Sequence, residues 1–95
     1  MSIVIHFKTE GMTTTQYDQV IIALEKAHAG NPPGRLYHVC YGDPSSLTVT
    51  DVWDSQETFD QFGKTLMPIL QKIGVDPGKP QILPVHHVIE HLQFA

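Results

Sequence analysis

Two helix-period segments, each capped at its start and closed by glycine, lie among four β-rich runs in a chain of only 95 residues. That alternation leaves few folds open. Ile3 to Phe7 is short, β-branched and apolar, as a buried strand should be. Thr13-Thr14-Thr15-Gln16 then forms a capping box, with a hydroxyl at the N-cap and Gln three residues on. Behind it Tyr17, Val20, Ile21, Leu24 and Ala27 recur at helical spacing, until Gly30 and Asn31-Pro32-Pro33-Gly34 stop the helix. Arg35 to Tyr41 and Leu47 to Trp53, joined by Gly42-Asp43-Pro44-Ser45-Ser46, read as a hairpin. Asp54-Ser55-Gln56-Glu57 is a second capping box. Phe59, Phe62, Leu66, Ile69, Leu70 and Ile73 predict a helix of 17 to 19 residues, with a kink or break near Thr65 caused by Pro68. Gly74 ends it, Asp76-Pro77-Gly78-Lys79-Pro80 is a loop, and Ile82 to Phe94 is a long final extended segment.

The order is β-α-β-β-α-β, and a weak repeat supports it: Tyr17-Asp18-Gln19 is echoed by Phe59-Asp60-Gln61. This is the ferredoxin-like, split βαβ plan, an α+β domain over residues 1–95 with an antiparallel sheet and two helices on one face. Two helices cover only one face of such a sheet, yet both look apolar. Ile3, Ile5 and Phe7 oppose Val4 and His6, and Leu36, His38 and Cys40 oppose Tyr37, Val39 and Tyr41. In the last strand Leu83, Val85, His87 and Ile89 are expected on the helix face, and Ile82, Pro84, His86 and Val88 on the other. A large uncovered apolar face marks an interaction surface, so the sheet is expected to pack on a second copy in a homodimer. The tail Glu90-His91-Leu92-Gln93-Phe94 is expected to reach across to that partner.

The element order, the two-sided sheet and the run Asp51-Val52-Trp53-Asp54-Ser55 resemble the dimeric α+β barrel superfamily. Within it the chain is similar to small proteins of the antibiotic-biosynthesis-monooxygenase type. The resemblance implies a pocket between sheet and helices lined by Trp53. Relatives that degrade haem or oxidise quinol-like substrates often carry a histidine nine or ten positions after the tryptophan. Phe62 and Gly63 stand there, so haem ligation of that kind is not expected, and Phe62 joins the expected pocket wall. The superfamily hosts several chemistries, so the resemblance does not select one reaction.

Hairpin arithmetic picks out candidate chemistry. An even loop centred between Pro44 and Ser45 pairs residues whose numbers sum to 89, so that His38 faces Asp51, Leu36 faces Trp53 and Cys40 faces Val49. Histidine across from aspartate in an apolar layer is a base and the carboxylate that orients it. It is equally two polar groups satisfying each other inside a core. His87, placed on the same face, either orients a substrate oxygen or simply hydrogen-bonds to a neighbouring strand end.

The remaining composition mostly excludes. Six histidines invite a metal, but His86-His87 with His91 lack the spacing of a closed zinc site, because neighbours on a strand point to opposite faces. Neither a metal nor a cofactor is expected. Cys40 is one small core residue rather than a nucleophile, and a single cysteine fits a reducing, cytoplasmic setting. Net charge is −4, which disfavours nucleic acid. No apolar run approaches the ~18 residues of a membrane span, and Met1-Ser2 leads into Ile3 without a basic leader. The expected ligand is small and apolar or aromatic. Two functions fit: a cofactor-independent, monooxygenase-like enzyme using His38 and Asp51, or a non-catalytic small-molecule-binding or stress-type dimeric barrel protein. A pure interaction dimer with a filled core is the third.

Overall fold

A computed structural model describes residues 1–89. Its elements run β1 Ile3–Lys8, α1 Thr14–Lys26, β2 Arg35–Asp43, β3 Ser46–Trp53, α2 Gln56–Ile73 and β4 Gln81–Pro84. The strands form one antiparallel sheet in the order β2-β3-β1-β4. This is the ferredoxin-like arrangement expected from the element order.

Local signals set the helix starts. Thr13 caps α1 through a complete capping box: its hydroxyl accepts from the Gln16 N–H at 3.2 Å, and the Gln16 side chain accepts the Thr13 N–H at 3.0 Å. In α2 the cap is Ser55, accepting from the Thr58 N–H at 3.3 Å, one residue later than the predicted box. Asp54 instead accepts from the Thr58 hydroxyl at 2.6 Å. Gly74, left-handed at φ 87°, closes α2. Pro68 does not break the helix, contrary to expectation. α2 runs unbroken from Gln56 to Ile73, with Phe62 and Leu70 buried on either side of the proline. Burial of that face outweighs the lost hydrogen bond to Lys64.

The helices cover one face of the sheet. Ile3 and Ile5 of β1 and Val49 and Trp53 of β3 meet Val20 and Leu24 of α1 and Phe62 and Leu70 of α2 in one cluster. Ile5 and Trp53 are wholly buried. Trp53 sits edge-on to Phe59, centroids 5.6 Å apart, and against Phe62 at 5.3 Å.

The fourth strand departs from expectation twice. It is four residues long, ending where Pro84 pairs with Ile3, the first residue of β1. The Val85 N–H reaches the Ser2 carbonyl at 3.0 Å and closes the ladder. Its faces are also reversed. Ile82 pairs with Ile5 and Leu83 with Val4, so Ile82 and Pro84 lie on the helix side and Leu83 on the open side. A one-residue change of register exchanges every side chain between faces. The predicted reach of residues 90–94 lies outside the described residues.

The open face carries Val4, Tyr37, Val39, Tyr41, Val52 and Leu83, with Tyr37, Tyr41 and Leu83 exposed. His6 Nδ1 lies 3.2 Å from the Thr50 hydroxyl, which also meets the Tyr41 hydroxyl at 3.0 Å. Among the described residues no helix is long and apolar enough to cross a membrane.

Candidate functional site

A two-residue turn, Pro44-Ser45, joins β2 to β3, with Asp43 opposite Ser46. Asp43 stabilises it by accepting the Ser45 N–H at 2.9 Å and hydroxyl at 2.7 Å, which holds the exposed Asp43 carboxyl below the usual carboxylate range. The even loop puts His38 opposite Asp51 and Cys40 opposite Val49, the register expected from the arithmetic.

His38 Nδ1 lies 2.5 Å from Asp51 Oδ1. The other carboxylate oxygen accepts the indole N–H of Trp53 at 3.2 Å. A carboxylate only accepts, so Nδ1 carries a proton and Nε2 is the ring's open position. The Tyr17 hydroxyl, 2.7 Å away, fills it. The two rings lie nearly parallel, 11° apart, with centroids separated by 6.0 Å. Trp53, Asp51, His38 and Tyr17 thus form one hydrogen-bonded chain from the core outward. Asp51 is only 4% exposed, and among the described residues no buried side-chain polar atom lacks a partner.

Tyr17 enters through α1. The capping box sets the first turn, and the Tyr17 N–H donates to the Thr13 carbonyl at 2.9 Å, which aims the ring at β2. Burial raises the Tyr17 hydroxyl above its usual value; the nearby Cys40 adds to this and the positive charge of Arg35 opposes it. Cys40 is a free thiol held high by burial and then by Asp18, so at neutral pH it is a thiol rather than a nucleophilic thiolate.

The chain of polar groups ends at a cavity of about 70 Å³ between the sheet and the two helices. Its surface is almost wholly apolar, from side chains such as Phe7, Val20, Leu24 and Leu66; Tyr17, His38, Asp51 and Arg35 border it with little of their polar surface facing the space. The space exceeds the ~10–15 Å³ one water needs and falls below the ~150 Å³ that encloses benzene, but it opens to solvent on one side, so that a ring entering it would project from its mouth. Phe62 walls the cavity and, with its other side, a groove of about 320 Å³ bounded by His28, Pro32, Thr58 and Gln61.

Of the residues singled out in the sequence, His38, Asp51 and Phe62 come together here. Trp53 does not line the cavity. It is enclosed by Phe59 and Phe62 and backs Asp51 from the core. His87 is not at the site: the strand ends at Pro84, the face parity is reversed, and His87 is exposed. Tyr17 and Arg35 are the residues that sequence reasoning missed. Tyr17 sits in the apolar stripe of α1, where spacing alone reads as core.

No family model matches the chain, and no curated protein matches it. Solved structures do. A protein from Chloroflexus aurantiacus J-10-fl, provisionally named an antibiotic biosynthesis monooxygenase, superposes with a TM-score of 0.62 at 18% identity, covering 93% of this chain and 97% of the other. SnoaB, a cofactor-independent oxygenase from Streptomyces nogalater, gives 0.61 at 14% identity over 95% of this chain and 96% of its own. A Deinococcus radiodurans protein with the same provisional name gives 0.61 at 15% identity over 98% of this chain and 100% of its own. The likeness at these identities is one of fold: the chain has the architecture of antibiotic-biosynthesis-monooxygenase-type proteins.

Proposed function

We propose, from that shared architecture, that this chain is a cofactor-independent, monooxygenase-like enzyme acting on a small aromatic, phenol- or quinol-type substrate. The observation that carries the reading is the Asp51–His38–Tyr17 chain ending at a mostly apolar cavity. A substrate hydroxyl seated there gives its proton to the Tyr17 oxygen as Tyr17 passes its own to His38 Nε2. Asp51 stabilises the resulting imidazolium and holds the ring in the productive tautomer. The deprotonated, electron-rich aromatic then meets dioxygen from solution, and the aliphatic lining keeps water from it. Trp53 and Phe62 act as supports, one behind Asp51 and one as cavity wall.

The open sheet face supports a homodimer, since exposed Tyr37, Tyr41 and Leu83 continue one apolar surface of the kind that another protein surface covers. The free Cys40 suits a cytoplasmic setting.

Oxygen uptake with a panel of hydroquinones and polycyclic phenols tests the enzyme reading. His38→Ala should slow turnover about 100-fold or more, the usual worth of a positioned base. Unchanged turnover in this variant sinks the mechanism. A second reading, a non-catalytic small-molecule-binding or stress-type dimeric barrel, draws on the small cavity and on Tyr17 already filling Nε2. Saturable binding without oxygen uptake by the wild type would select it.

A further inference from the structure

The hairpin arithmetic that placed His38 correctly fails two residues earlier, at Leu36, and the failure changes the cavity. Unbroken pairing puts Leu36 opposite Trp53, on the helix side. Instead the ladder shifts between Arg35 and Tyr37, and Arg35 takes the place opposite Trp53. Leu36 is left 59% exposed, while Arg35 lines the cavity. A bulge of this kind re-aims a side chain; here it puts arginine in place of leucine in the wall of an apolar space, with the guanidinium on the exposed side at Gly30.

The guanidinium is held but not neutralised. Arg35 Nη2 donates to the Gly30 carbonyl at 2.9 Å, and its Cζ stands 5.8 Å from the centre of the Phe62 ring. Among the described residues, no carboxylate lies within ion-pair distance of Arg35. A guanidinium presents five N–H donors in a planar fork that matches a carboxylate through two parallel hydrogen bonds. The contact to Gly30 leaves donors free for one.

We propose that Arg35 is a specificity-determining residue and that the ligand of this cavity is an aromatic carboxylate, with its acid group on the guanidinium and its ring among the aliphatic side chains. This rests on the cavity being a ligand site, as the proposed function holds. Where the ring also bears a hydroxyl, that group meets Tyr17. The positive charge of Arg35 already acts on the Tyr17 hydroxyl, opposing the upward push of burial.

Calorimetric titration of the wild-type chain with 2-naphthol, 2-naphthoate and 6-hydroxy-2-naphthoate tests this without any substitution. The two acids should bind at least tenfold more tightly than the naphthol. Arg35→Gln should abolish that preference, and Arg35→Lys should keep part of it. Circular dichroism confirms that each variant is folded. Naphthol binding with no advantage for the acids overturns the role of Arg35 and leaves the cavity reading standing. An acid preference that survives in a folded Arg35→Gln variant overturns it equally. Absence of binding by all three probes overturns both.

Discussion

Replacing Asp51 by alanine tests whether the polar chain is integral to the fold. Asp51 is 4% exposed and accepts two hydrogen bonds, one at each carboxylate oxygen. Alanine leaves the indole N–H of the wholly buried Trp53 without a partner, and an orphaned buried donor costs about 1–3 kcal/mol. It also removes the acceptor of the 2.5 Å bond from half-buried His38, and a bond to a charged group contributes about 1.5–3 kcal/mol. Relief of the buried charge offsets part of this, so the net loss should be about 3 kcal/mol. On a domain this size each kcal/mol moves the melting temperature by roughly 4–8 °C, giving a drop of about 12–24 °C. Urea unfolding should be followed by far-ultraviolet circular dichroism, since the tryptophan is itself altered in the companion variants. Asp51→Ala, Trp53→Phe and the double variant make a cycle. With no indole left to orphan, the double variant should be at least ~1 kcal/mol more stable than the sum of the singles predicts. A loss below ~0.5 kcal/mol for Asp51→Ala, or an additive cycle, would refute the reasoning.

Three further outcomes follow from other parts of the molecule. Gly34 has φ +88°, and a methyl group on it would lie 2.5 Å from Thr58 Cβ; Gly34→Ala should therefore cost about 3 kcal/mol from strain and overlap, read from the same urea melts. Tyr17 holds its proton more tightly folded than unfolded. Its contribution is thus fully present below its ordinary value of 10.0 and is lost as pH rises through the folded value. Tyr17→Phe should lose less stability than the wild type between pH 10 and 11; parallel curves would contradict the burial of that hydroxyl. Val39 lies opposite Thr50 on the open face, and Val39→Asp should convert a sedimenting dimer into a folded monomer, while a wild-type chain that sediments as a monomer removes the homodimer.

Much of this was legible along the chain because the information is local. Thr13 and Gln16 are one helical turn apart, so the start of α1 and the direction of Tyr17 follow from adjacent residues. Pro44-Ser45 is a tight turn, so the facing of His38 and Asp51 follows from counting. Counting failed where no local rule operates. The second cap moved from Asp54 to Ser55, both good caps, because Asp54 receives the Thr58 hydroxyl instead. The apolar run after Ile82 alternates as a strand on either register, and only pairing with β1 chooses one; that choice took His87 from the site.

The sequence by itself determined the order of elements, the two-layer α+β plan and the His38–Asp51 pair, since periodicity, caps and turn length act within a few residues. Only the tertiary structure decided which groups complete the site. Tyr17 reaches Nε2 because α1 packs across β2. Arg35 replaces Leu36 because a bulge shifts the ladder by one residue, and Trp53 withdraws behind Asp51 because Phe59 and Phe62 of α2 close over it. Each of these is a contact between segments distant in the chain, where the packing free energy of the whole layer outweighs any local preference.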